Sequence, residues 1–191
     1  MRWDESMMGD QSGKVAVVTG SNTGIGYYMA RALASKGASV IMACRDSAKG
    51  EAARERILEE FPDSEVSVSV LDLADLSSVE DFASNFSPEG GLDILINNAG
   101  VMIPPKSRTK DGFELQFGTN HLGHFALTGR LLPVLEGTRG SRVVTVSSIA
   151  HNAGVIDFED LHGDSKRYNK WGFYSQSKIA NLTFSLELGR R

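Results

Sequence analysis

Thr19-Gly20-Ser21-Asn22-Thr23-Gly24-Ile25-Gly26 is the stretch that most narrows what this chain can fold into. It follows an apolar, β-branched run from Lys14 to Thr19 and precedes a helical pattern from about Gly26 to Lys36, which Gly37 stops. Strand, glycine turn and helix in that order let backbone N–H groups and a helix N-terminus approach a pyrophosphate, because glycine admits positive φ and carries no Cβ. A tight strand-to-helix turn without a ligand would use the same glycines, so the rest of the chain has to separate the two.

The rest repeats the alternation. Ala38 to Cys44 reads as a second strand, followed by a helix from about Ser47 to Phe61 that Pro62 ends. Glu65 to Leu71 is a third strand in which Val66, Val68 and Val70 alternate with Ser67 and Ser69, which predicts one less buried face. Its helix starts near Ser77, with Glu80 at capping-box spacing. Leu92 to Asn97 is a fourth strand, Asp111 to Leu135 a long helix, Ser141 to Ser147 a fifth strand, and a last helix runs from about Phe173. Strands alternating with helices of this length predict an α/β, Rossmann-type doubly wound parallel sheet of order 3-2-1-4-5. Residues 1–13 read as an N-terminal extension and 14–191 as a single domain. Ile149 to Trp171 has no clear period and is too long for a plain connector, which suggests a segment flanking a site.

Composition excludes several classes. A net charge of -4 without a long basic run argues against nucleic acid as a partner. The single cysteine, Cys44, rules out an intrachain disulfide, sits in an apolar run that predicts burial, and fits a reducing cytoplasm. Met1 to Gln11 carries Asp4, Glu5 and Asp10 and has no apolar run, so neither a signal peptide nor a membrane span is expected. The four histidines form no metal-ligand spacing; His121 and His124 read as packing residues, His151 as a loop residue near Ser148, and His162 has no assigned role.

Tyr174 and Lys178 are four residues apart, which places both side chains on one face of the last helix. A phenol titrates near ~10 and is a weak acid–base at neutral pH, and an adjacent ammonium favours its anion. Ile179, Leu182 and Leu186 recur at helical spacing and read as core.

Thr19 to Gly26 matches every fixed position of T-G-x-x-x-G-I-G, and Asn97-Asn98-Ala99-Gly100, Asn120, Ser148 and the Tyr174/Lys178 pair follow in chain order. Together, from about Lys14 to the C-terminus, they resemble the short-chain dehydrogenase/reductase family. That resemblance implies an enzyme interconverting a carbonyl and an alcohol by hydride transfer with NAD(P). It implies cofactor contacts from Gly20, Ser21, Asn22, Thr23, Gly24, Ile25, Gly26, Asn98, Ala99 and Gly100, from Asp72 and Leu73 toward the adenine, and from Tyr174 and Lys178 toward the nicotinamide half. Asp72 could instead only cap the turn that follows it. It also implies catalytic roles for Asn120, Ser148, Tyr174 and Lys178: Tyr174 exchanges the proton, Lys178 holds the nicotinamide ribose, Ser148 bonds the reacting oxygen, and Asn120 anchors a water leading to Lys178. Ser147 competes with Ser148, which is preferred as the second serine of the Val146-Ser147-Ser148 ending.

The second strand ends Ala43-Cys44-Arg45-Asp46. A carboxylate there would suit NAD, whereas the planar donors of Arg45 suit the 2′-phosphate of NADP, so NADP(H) is favoured and NAD(H) remains open. A solvated Arg45 paired with Asp46 is the bland alternative.

Cys44-Arg45-Asp46, Thr119 to Phe125 and Val146 to His151 resemble the retinol-dehydrogenase-like branch, which includes the oxidoreductase part of WW-domain oxidoreductase. The branch implies a lipophilic aldehyde, ketone or alcohol as small-molecule substrate, and a homo-oligomer. Light-dependent protochlorophyllide reductases share part of the pattern and rank lower. Family members continue past the last helix with a sixth strand, a substrate lid and a seventh strand, so the chain is expected to be C-terminally incomplete. A catalytically silent dinucleotide-binding module is the competing function, and the intact Asn120, Ser148, Tyr174 and Lys178 set argues against it.

Overall fold

A computed structural model describes residues 4–165 and 167–191. Five strands, β1 (Val15–Thr19), β2 (Ser39–Cys44), β3 (Val66–Val70), β4 (Ile94–Asn97) and β5 (Arg142–Thr145), form one sheet of order β3-β2-β1-β4-β5. Every neighbouring pair is parallel, with Val17 opposite Ile41 on one side of β1 and opposite Leu95 on the other. The expected order therefore holds.

Strand alternation sorts the core into two layers. Ala16 and Val18 of β1 pack with Val40, Met42, Ala30 and Ile57, beneath α1 (Gly24–Ala34) and α2 (Ser47–Glu60). Val15 and Val17 face the opposite way onto Leu95, Val79, Leu127 and Leu131, beneath α3 (Leu76–Ser84) and α5 (Gly123–Gly137). Burial on both faces explains why β1 is an unbroken apolar run, all five of its residues being buried. β3 and β5 form the two edges, and each leaves a valine exposed, Val70 and Val144. Cys44 is buried and free. No helix among the described residues is long and apolar enough to cross a membrane.

Three boundaries differ from the sequence reading for identifiable reasons. α3 begins at Leu76, not Ser77, because the Asp75 carboxylate accepts from the Ser77 N–H at 2.9 Å; Glu80 makes no capping box and pairs with Arg130 instead. The long helix expected from Asp111 begins only at α4 (Leu115–Phe117), passes through a π-helical turn at Gly118–Leu122 and continues as α5. Before α4, Thr109 and Phe113 close a turn, and Arg108 bridges Glu114. The last helix, α6 (Lys170–Leu188), starts three residues early because Asn169 accepts from the Trp171 and Gly172 N–H groups. α6 lies beside α5, Phe184 touching the rings of His121 and Phe125.

Candidate active site

At the C-terminal ends of β1, β2 and β4 lies a cleft of about 350 Å³. Of the nucleotide-site residues expected from the sequence, Gly20, Asn22, Thr23, Ile25, Gly26, Arg45, Asp72, Leu73, Asn98, Ala99 and Gly100 line it. Ser21 does not: its hydroxyl is buried, donating to the Val18 carbonyl at 2.9 Å beside Cys44. Gly24 does not line it either, and opens α1 with φ +58. Ala43, Leu71, Val101 and Thr119 line the cleft as well and were not singled out from sequence. Val101 directly follows Asn98-Ala99-Gly100 and Thr119 directly precedes Asn120, so adjacency to the motifs was the available signal.

The glycines are required by contact. A Cβ on Gly20, whose φ is +64, would stand 2.8 Å from the Ala99 Cβ, and one on Gly26 would stand 2.4 Å from Asn98 Nδ2 and 2.5 Å from the Gly20 carbonyl oxygen. The turn is thus pressed against the loop after β4. Asn98 holds it there, donating from Nδ2 to the Thr19 carbonyl at 2.8 Å.

α1 begins with Thr23 in extended backbone and without a side-chain cap. Its first N–H groups, the positive end of the helix dipole, therefore face the cleft without a side-chain acceptor, which is the arrangement that binds phosphate oxygens. Uncapped donors, together with a glycine cradle that a Cβ would fill, fit a dinucleotide pyrophosphate. Arg45 is exposed at the cleft rim. The expected alternative pairing with Asp46 is not seen, since the Asp46 carboxylate caps α2 through the Lys49 N–H and pairs with the Lys49 ammonium at 3.4 Å. Asp72 turns one carboxylate oxygen back to the Ala74 N–H at 2.9 Å, the local turn weighed from sequence, while still lining the cleft.

Next to the cleft, Gly100, Asn120 and Lys178 converge: a Cβ on Gly100 would lie 3.1 Å from Asn120 Oδ1 and 3.8 Å from Lys178 Nζ. Asn120 is fully buried in the π turn, where the Gly123 N–H reaches back five residues to the Gly118 carbonyl. Its amide spans two segments, accepting from the Val101 N–H at 2.7 Å and donating to the Val101 carbonyl at 2.9 Å and to Ser177 Oγ at 3.0 Å. These bonds fix the side chain within a π turn that helical periodicity could not predict, and π turns of this kind occur at functional sites.

Lys178 is buried and donates to the Val146 carbonyl at 3.2 Å; burial pushes its amine below the usual lysine range. Its ammonium nitrogen is 5.6 Å from the centre of the Tyr174 ring. The two serines differ in their partners: Ser147, expected to stay with the strand, lies beyond it and its Oγ donates to the Lys178 carbonyl at 2.8 Å, while the half-buried Ser148 Oγ accepts from the Ala150 N–H at 3.2 Å. β5 ends before both because the Val146 carbonyl is taken by Lys178 and by Asn181.

The histidines do more than pack. His124 is 1% exposed, with Nδ1 2.9 Å from the Asn120 carbonyl oxygen and Nε2 2.8 Å from Thr19 Oγ1. Desolvation pushes its pKa down to about 4 against the pull of the Asn120 carbonyl. His121 lies among Phe117, Phe125 and Phe184, and burial lowers its pKa too. His151 Nδ1 contacts the Ser148 carbonyl at 2.6 Å, and His162 Nδ1 accepts from the Glu114 N–H at 3.3 Å. Among the described residues no group of three or more His, Cys, Asp and Glu could hold a metal ion.

A doubly wound parallel sheet with a glycine cradle and an uncapped helix at its C-terminal edge defines a dinucleotide-binding protein of the Rossmann kind. The chain belongs to the short-chain dehydrogenase family, whose model matches residues 14–190. It is 52% identical over 180 residues to human retinol dehydrogenase 12 and 50% identical over 180 residues to human retinol dehydrogenase 13, placing it in the retinol-dehydrogenase-like branch. Each alignment takes in 94% of this chain but only 57% and 54% of those relatives, so the chain spans little more than half their length. Among solved structures, a Mycobacterium paratuberculosis protein of uncharacterized function is 51% identical with a TM-score of 0.89, covering 99% of this chain and 66% of the other. A metagenomic short-chain oxidoreductase solved with NADP shares the fold at 24% identity and a TM-score of 0.75, covering 94% of this chain and 76% of the other.

Proposed function

We propose that this chain carries the nucleotide and catalytic sites of an NADP(H)-dependent oxidoreductase that interconverts a carbonyl and an alcohol. The observation that carries the reading is the juxtaposition at Gly100: the cleft opened by the uncapped α1 ends where Asn120 and Lys178 meet. When bound, the nicotinamide cofactor supplies or takes up the hydride. The protein's own groups manage the nucleotide and the proton.

The first turn of α1 and the Gly20–Gly26 turn hold the pyrophosphate, Asp72 and Leu73 line the adenine end, and Arg45 reads the 2′-phosphate through planar charged donors. Asn98, Ala99 and Gly100 form the wall toward the nicotinamide half. Tyr174 donates its proton to a carbonyl oxygen, or accepts one from an alcohol, and Ser148 hydrogen-bonds the same oxygen. The Lys178 ammonium, buried and 5.6 Å from the centre of the Tyr174 ring, stabilises the phenolate electrostatically, and Lys178 holds the ribose hydroxyls. Asn120, fixed between Val101 and Ser177, anchors a water that relays the proton toward Lys178.

A lipophilic substrate is favoured by the side chains on the segments leaving the site. Met102, Ile149, Val155 and Phe158 are 56%, 84%, 75% and 77% exposed, an apolar set that a small polar substrate would not need. Similarity to retinol dehydrogenases points the same way.

Calorimetric titration with NADPH and NADH, run on the protein and on Arg45→Asp, tests the reading. NADPH is expected to bind more tightly, and Arg45→Asp to reverse the preference by roughly one to two orders of magnitude in Kd, as loss of a charge-assisted contact implies. Binding of neither nucleotide would overturn the proposal, and an unchanged preference in the variant would remove Arg45 as the phosphate reader.

A further inference from the structure

His124 closes a chain of hydrogen bonds between the two halves of the site, and its proton can be placed by elimination. A backbone carbonyl only accepts, so the Nδ1 that lies 2.9 Å from the Asn120 oxygen carries the hydrogen. In the neutral ring Nε2 is then a bare acceptor, and it lies 2.8 Å from Thr19 Oγ1, whose O–H donates to it. That orientation leaves the Thr19 oxygen free to accept, and it does so twice, from the Asn98 N–H at 2.9 Å and the Ala99 N–H at 3.0 Å. The Ile96 carbonyl also lies 3.3 Å from Thr19 Oγ1, but the shorter contact to Nε2 takes the hydroxyl proton, and the chain runs from the loop that walls the cleft, through Thr19 and His124, to the backbone of Asn120.

A buried imidazole is costly unless both nitrogens are satisfied, and an apolar side chain would fill the same space without that demand. Here both partners belong to functional segments. Thr19 begins the glycine turn, and Asn120 occupies the π turn. Ala99, held by Thr19, also bounds the space above Gly20, so a shift of the turn on nucleotide binding bears on the group that His124 reads.

We propose that His124 is a positioning residue that couples occupation of the nucleotide cleft to the placement of Asn120, acting through Thr19 and the Asn98–Ala99 backbone. This rests on the oxidoreductase reading above. The two links are separable by side-chain length: asparagine places an amide where Nδ1 sits and keeps a donor for the Asn120 carbonyl, whereas glutamine reaches the Nε2 position and keeps an acceptor for Thr19.

The experiment measures NADPH affinity by calorimetry and follows the Asn120 side-chain amide by NMR during titration with adenosine 2′,5′-bisphosphate, which lacks the nicotinamide half and so reports transmission instead of direct contact. In the wild-type protein the Asn120 signals shift on titration. His124→Gln binds NADPH about as well as wild type, within roughly twofold, but its Asn120 signals shift less than half as far as in wild type, the remainder passing through Val101, which lines the cleft and bonds the Asn120 amide directly. His124→Asn, which loses the Thr19 link, binds about tenfold more weakly, the scale of one buried hydrogen bond. If both folded variants bind like wild type and Asn120 responds equally in all three, His124 only fills space and the coupling is overturned while the oxidoreductase reading stands. Failure of the wild-type protein to bind either nucleotide sinks that reading and the coupling with it.

Discussion

The N-termini of α1 and α6 make opposite use of the same chemistry. At α6, Asn169 accepts from two backbone N–H groups, at 3.1 and 3.2 Å, and the helix that carries Tyr174 and Lys178 starts fully capped. At α1, Thr23 is a residue type that caps well, yet it makes no such bond, and the N–H groups are left to the cleft. α2 and α3 side with α6, through Asp46 and Asp75. The contrast teaches that the missing cap at α1 is not a general looseness of the fold. α5 also lacks a side-chain cap, but it continues from the π turn; among the described helices that start from a loop, α1 alone is left open, and it faces the cleft. On the proposed function, the open α1 takes the pyrophosphate, while the capped α6 carries Tyr174 and Lys178 at the nicotinamide end.

The largest expected effect breaks that division if it is wrong. Tyr174→Phe removes the acid–base hydroxyl from α6 without touching the cleft, so turnover with an aldehyde substrate should fall by about 10³-fold, within the range for general acid–base groups. NADPH affinity, measured on the same sample, should stay within about twofold of wild type. A comparable loss of nucleotide affinity would show that the Tyr174 hydroxyl serves nucleotide binding and not proton transfer alone.

Closing α1 sharpens the comparison from the other side. Thr23→Asp supplies the absent cap, and its negative charge at the positive end of the dipole should raise stability by roughly 0.5–1 kcal/mol in thermal or denaturant unfolding. The same carboxylate would stand where the pyrophosphate oxygens approach, so NADPH affinity should drop by about tenfold or more. Stabilisation with unchanged affinity would mean that the α1 N-terminus is not the phosphate site.

The nucleotide half of this comparison was legible in the sequence because it is local. Three glycines, a strand before them and a helix after them fix the turn within eight residues, and the apolar run of β1 carries its own two-faced burial. Strand order and the grouping of Gly20, Arg45, Asp72 and Asn98 around one cleft followed from the alternation of elements. The residues proposed for catalysis stand out in the sequence, but their geometry does not. Nothing in the pattern from Asp111 to Leu135 signals a π turn, and the partners that hold the Asn120 side chain there, Val101 and Ser177, are 19 and 57 positions away. His124 read as packing for the same reason: its partner Thr19 is 105 positions away, and only the folded sheet brings the two together. Asp75 displaced Ser77 as the α3 cap in a choice between adjacent good cappers that propensity does not decide.

The smallest expected effect is at the capped helix itself. Asn169→Ala removes the one side-chain oxygen that accepts from both N–H groups at the start of α6, and loss of a cap of this type costs about 1 kcal/mol in denaturant unfolding. The cost should not run higher, because the same turn is held independently: Gln116 Nε2 donates to the Lys170 carbonyl at 2.9 Å, and the Tyr168 ring stacks on Phe173 with centroids 4.9 Å apart. NADPH affinity should not change, since Asn169 lies outside the cleft. Thr23→Asp and Asn169→Ala thus form a matched pair in which adding a cap strengthens the fold and weakens binding, while removing one weakens the fold and leaves binding alone. If Asn169→Ala lowered affinity as well, the start of α6 would have to be counted as part of the nucleotide site, and the separation between an open binding helix and a capped catalytic helix would fail.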